Sequence, residues 1–142
     1  MDALENAQQI TTGFPHTIPS IPYGRSHHHA YAGVVPGVVM IYVIASIHVK
    51  QGRFSEYLRI LKASVRAVRG EKGCVEYVPT GDIDTGLPRQ VLDDHVVTIL
   101  EKWESLEALN AHLVSPHMLD YREKVKDLVD RVSIKVLREF QS

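Results

Sequence analysis

Cysteine is almost missing from this 142-residue chain, where Cys74 stands alone. A single thiol excludes an intrachain disulfide and any zinc site built on cysteines. It also fits a reducing compartment, so a cytoplasmic location is expected. Excess charge of one sign is missing too. Sixteen Lys and Arg against seventeen Asp and Glu leave a net charge of -1. No basic run supplies the stripe that neutralises phosphates, so nucleic acid is not an expected partner. A Walker-type phosphate loop, a dinucleotide fingerprint and a zinc-protease helix are all absent. One stretch, Ala30 to Ile47, holds no Asp, Glu, Lys or Arg and follows Arg25, the outline of a targeting or membrane segment. Gly33, Pro36 and Gly37 interrupt it, and its second half alternates like a strand that the domain needs, so no membrane partner is expected either.

What remains is an ordinary globular composition, 44% hydrophobic and 23% charged. The length suits one domain with a real core and is short for two. Composition changes near Met40. Residues 1–39 hold only Asp2, Glu5 and Arg25 as charged side chains, yet four of the seven prolines, and show no periodicity. This part is read as an irregular leader: either an addition upstream of a natural start at Met40, or an arm laid over a partner subunit. Residues 40–142 form the domain. The triplet His27-His28-His29 is read as incidental, since three adjacent residues cannot all face one ion.

From Met40 the elements follow in order. Ile41, Val43, Ala45, Ile47 and Val49 alternate with Tyr42, Ile44, Ser46 and His48, which predicts a first strand with one apolar row. Phe54, Tyr57, Leu58, Leu61, Val65 and Val68 recur at helical spacing, with Arg and Lys on the other side, and predict an amphipathic helix closed near Gly70 and Gly73. Cys74 to Val78 reads as a short strand stopped by Pro79, Thr80 to Asp94 as a loop, and His95 to Trp103 as the third strand. Ser105 is a plausible cap for a helix carrying Leu106, Leu109 and Leu113. Ser115-Pro116 offers a second cap and a restart. That helix is expected to resume through Met118, Leu119, Val125, Leu128 and Val129, with a final strand from Val132 through Val136.

The order β-α-β-β-α-β is the split arrangement of a ferredoxin-like α+β domain with a four-stranded antiparallel sheet. Helices on one face leave the other face bare, and homodimerisation through that bare face is the expected remedy.

The chemically suggestive residues lie between His95 and Tyr121. Glu101 and Trp103 share a strand face with Val97 and Ile99, a placement that raises a carboxylate's pKa unless it is paired, with Lys102 or a nearby arginine as the partner on the plainer reading. His112 and His117 are five residues apart, about 140° on a continuous helix, so they are not read as a metal pair and no metal site is expected. Either could serve singly as a general base, or could be structural, one packed on the sheet and the other satisfying the helix break. Trp103, Tyr77 and Tyr121 could wall an aromatic site or be plain core.

At these residues a resemblance emerges. Gly73-Cys74-Val75-Glu76-Tyr77, followed by ILEKWESLEALNAHLVSPHMLDY from Ile99 to Tyr121, resembles the antibiotic-biosynthesis monooxygenase superfamily, and most of all its quinol monooxygenase branch. The E-x-W-E-S run with the downstream A-H-L and S-P-H-M is the specific part, and the likeness covers nearly all of residues 40–140. It implies a ferredoxin-like homodimer that oxidises a quinol or related phenol with molecular oxygen, without metal, flavin or haem. It also implies a pocket in which His112 or His117 is the base, Trp103, Tyr77 and Tyr121 are walls, and Glu101 orients a histidine or a substrate hydroxyl. Haem-degrading relatives carry an asparagine in the first strand, and Ile41 to Val49 has none. The alternatives to a cofactor-independent monooxygenase are a non-catalytic dimer that holds a small ligand, and an isomerase of a phosphorylated signalling sugar. The isomerase would need basic residues such as Arg89 or Arg122 turned inward.

Overall fold

A computed structural model of the chain describes residues 39–140. The leader expected over residues 1–39 lies outside the described residues apart from Val39, as does the histidine triplet. Four strands, β1 (Ile41–Val49), β2 (Cys74–Thr80), β3 (Val96–Trp103) and β4 (Val129–Leu137), form one antiparallel sheet in the order β2-β3-β1-β4. Among the described residues, three helices, α1 (Phe54–Arg69), α2 (Leu106–Leu113) and α3 (Pro116–Val125), complete the ferredoxin-like α+β fold. No helix among the described residues is long and apolar enough to cross a membrane.

The alternation of β1 explains why it is central. Ile41, Val43, Ala45, Ile47 and Val49 are all buried on one side, and the intervening residues are half-buried on the other. On α1, Tyr57, Leu61 and Val68 fall on one helical stripe and are fully buried. Trp103, Leu109, Met118 and Tyr121 extend the same core under α2 and α3. The other sheet face pairs Ile44 with Leu100 and Leu100 with Val78, so apolar side chains lie side by side in the open. Leu100 there is 43% exposed.

Two boundaries differ from the sequence reading. Pro79 does not stop β2 but lies inside it, opposite Ile99. β2 is an edge strand, where a residue lacking an N–H costs no ladder bond on the solvent side. The last helix ends at Val125 rather than running to Val129, and β4 begins at Val129, three residues early. Leu128 and Val129 suit a helical stripe by spacing. Leu128 N donates to Val125 O in a closing turn, however, and Lys50 N donates to Leu128 O, tying the chain to the end of β1.

The helix break falls where Ser115-Pro116 predicts it. Ser105 caps α2 by accepting from Ala108 N at 3.1 Å. Ser115 makes no such side-chain cap for α3; its hydroxyl donates back to His112 O at 2.9 Å, and Pro116 opens the helix. One glycine needs its freedom. Gly73 has φ +83, and a Cβ there would lie 2.6 Å from Ala108 Cβ, so the turn before β2 presses directly on α2.

Candidate active site

That close approach places Glu71, two residues earlier, beneath the ends of α2 and α3. His112 Nδ1 lies 2.9 Å from Oε1 and 3.1 Å from Oε2 of Glu71. His117 Nε2 forms a short contact with the same Oε1, and Ser115 Oγ is 3.3 Å from that nitrogen. The sequence reading kept the two histidines apart on a continuous helix. The break at Ser115 removes that phase relation, and the two rings converge on one carboxylate. Their three donor atoms lie within 4.8 Å of one another, the one group among the described residues able to hold a divalent cation. Exposure is graded across the cluster: the His112 side chain is 2% exposed, Glu71 13% and His117 33%.

His112 is packed between two aromatic rings. Its centroid is 4.7 Å from Trp103 at a 35° tilt and 5.9 Å from Tyr77. Desolvation pushes its pKa below the ordinary histidine value, and the hydrogen bond and charge of Glu71 oppose that shift without overcoming it. Burial thus favours the neutral imidazole, the form a general base requires.

Glu101 does not orient a histidine. Its Oε2 accepts from the indole nitrogen of Trp103 at 2.8 Å, so it anchors the indole instead. Burial pushes its pKa up to about 7, partly offset by that hydrogen bond. Burial between apolar neighbours thus had the expected effect, and the indole, not Lys102 or an arginine, is the partner. Tyr121 turns to α1, where its hydroxyl meets that of Tyr57 at 2.6 Å with the rings edge to face. Burial raises both phenols, Tyr121 to about 12. Of the three expected walls, Trp103 and Tyr77 flank His112, and Tyr121 belongs to the tyrosine pair. Arg89 is exposed in the β2–β3 loop and Arg122 is half-buried on α3.

Glu71 was missed by sequence reasoning. A charged residue between Gly70 and Gly73 reads as a solvated turn, and only the close approach of Gly73 to Ala108 carries it inward.

The sequence pattern of the antibiotic biosynthesis monooxygenase family matches residues 40–124. The Escherichia coli (strain K12) protein named "Probable quinol monooxygenase YgiN" is 34% identical over 105 residues, spanning 70% of this chain and 97% of YgiN. Among solved structures, Rv0793 from Mycobacterium tuberculosis aligns with TM-score 0.61 and 28% identity over 72% of this chain and 97% of its own. PA3566 from Pseudomonas aeruginosa gives 0.62 and 27%, over 72% and 96%. A conserved protein from Methanosarcina mazei Go1 shares the fold at 0.63 with 21% identity, over 72% and 94%.

Proposed function

The chain belongs to the antibiotic biosynthesis monooxygenase family, and from that premise we propose that this monooxygenase oxidises a quinol or related phenol with molecular oxygen, using no cofactor. The observation that carries the reading is His112, a buried imidazole packed beside the Trp103 indole and held by a carboxylate. A phenol becomes a strong one-electron donor to oxygen only as its phenolate, so a base is the one group the protein must supply. The substrate supplies the electrons: quinol plus O₂ gives hydroxyquinone plus water, which balances without another reductant. The curated relative named for a quinol supports that substrate class.

In this reading His112 takes the phenolic proton, and Trp103 and Tyr77 offer flat apolar surface to the ring. Both His112 and Trp103 are almost wholly buried, at 2% and 0% exposed. The ring must therefore displace side chains to reach them, and once seated it is shielded from water. His117 and Glu101 act around this centre, one on Glu71 and the other on the indole. A homodimer covers the open sheet face around Ile44, Leu100 and Val78 in the same reading.

Oxygen uptake with a reduced naphthoquinol, corrected for the quinol's own autoxidation, tests the function. Uptake above the blank, with one oxygen atom found in the product by isotope labelling, is expected. Uptake equal to the blank across quinols would leave a ligand-binding dimer.

A further inference from the structure

A carboxylate only accepts hydrogen bonds, so the His112 nitrogen that faces Glu71 must carry the hydrogen. A neutral imidazole has one N–H. With that hydrogen on Nδ1, Nε2 is left bare.

Resting on the role given above to His112, we propose that Glu71 is the positioning residue of the reaction, fixing the Nδ1–H form of His112, and that His117 holds the Glu71 carboxylate in place from the solvent side.

Three features of the fold converge on this assignment. Gly73 lets the turn approach α2 closely enough for Glu71 to reach under the helix. The break at Ser115 turns His117 toward the same oxygen, so Oε1 receives two donors. The gradient of exposure from His112 through Glu71 to His117 places the substrate-facing member deepest and the retaining member at the surface.

The proton economy closes. The substrate O–H bond breaks, its proton forms an N–H at His112 Nε2, and the oxygen keeps the electron pair. The Nδ1–H stays on Glu71, whose negative charge now faces an imidazolium. Oxygen forms a C–O bond at a ring carbon, the O–O bond then breaks, and the second oxygen atom leaves as water with the Nε2 proton and the proton lost from that carbon, so His112 returns to neutral. Glu71 changes no bond; it acts through His112. The groups facing that ring are Glu71 from the turn after α1, Tyr77 from β2, Trp103 from β3, and His117 and Arg122 from α3. Glu71 raises the imidazole's pKa, whereas Arg122 and His117 lower it, so removing the Glu71 charge must move the His112 titration downward.

The test uses the full chain and the variants Glu71→Gln, His117→Gln and His117→Ala. Nitrogen-15 NMR of the imidazoles reads the tautomer and titration of His112 directly, with no substrate present. The expected spectrum has the hydrogen on Nδ1, and in Glu71→Gln the titration moves to lower pH. With a reduced naphthoquinol, Glu71→Gln should lose about a hundredfold or more in kcat with KM little changed, the range acid–base catalysis supplies. His117→Ala should lose about tenfold, the scale of removing an outer partner, and His117→Gln, which keeps a donor at the Nε2 position, should recover most of that loss. Hydrogen on Nε2, an unmoved titration, or full activity in Glu71→Gln would overturn the assignment. So would activity lost to a chelator and restored by a divalent cation, which would make the three donors a metal site. Should the wild type consume no oxygen beyond the blank, the monooxygenase reading fails by itself, and the NMR result still decides the role of Glu71.

Discussion

Replacing Gly73 with alanine tests the geometry on which the site depends. The new Cβ would stand 2.6 Å from Ala108 Cβ, against about 3.5–4.0 Å for relaxed carbon contact. The turn and α2 must therefore separate by about 1 Å or more, an overpacking that costs about 1–3 kcal/mol. Gly73 also holds φ +83, a conformation that costs a residue with a side chain about 1–2 kcal/mol. The sum is about 2–5 kcal/mol, and in a domain of this size each kcal/mol lowers Tm by about 4–8 °C. Thermal denaturation followed by circular dichroism should show Gly73→Ala melting at least about 8 °C below the wild type. Oxygen uptake per folded molecule should fall as well, because the recoiling turn carries Glu71 away from His112. Adding Ala108→Gly should return the overpacking share of the loss and leave the backbone share. A Gly73→Ala protein that melts within about 2 °C of the wild type would refute the claim that this turn is pinned against α2.

Three further outcomes follow from the same structure. His112→Ala should lower turnover by about a hundred- to ten-thousand-fold while costing only about 1–3 kcal/mol in stability; a folded variant with full activity on every accepted quinol would remove His112 as the base. Glu101 binds its proton more tightly when folded, its pKa rising from 4.5 to about 7, so its favourable contribution is complete below the lower value and is lost as pH climbs through the upper one. That loss approaches about 3 kcal/mol, so Glu101→Gln should stabilise the protein at about pH 8 and not at about pH 4; equal effects at both would contradict the buried placement. Light scattering at micromolar concentration should give twice the chain mass, and a monomer would leave the open sheet face around Leu100 without its proposed cover.

Much of this architecture is legible in local pattern. The alternation through β1, the helical stripe of Tyr57, Leu61 and Val68, and the Ser105 cap each depend on neighbours within a few residues. So does the restart at Ser115-Pro116. Pro79 and Val129 were misplaced because their state depends on context: one on lying at a sheet edge, the other on the Lys50 N–H donating to the Leu128 carbonyl across the sheet end. The site is less legible. His112 and Trp103 could be placed together from the short return between β3 and α2, and their rings do meet. Glu71 meets His112 and His117 across separations of 41 and 46 residues. No spacing rule reaches that far, and the angular argument against pairing the histidines assumed a helix that the proline interrupts.

Trp103 is the chain's only tryptophan, and its indole N–H is bound to a carboxylate that titrates at about 7 while its ring faces His112. All of the protein's indole fluorescence therefore originates inside the candidate site, with no surface tryptophan to dilute it. A ring seated against the indole, or a proton arriving on Glu101, must alter that emission. The molecule carries its own optical gauge of occupancy, readable without label or turnover even for compounds it binds but does not oxidise.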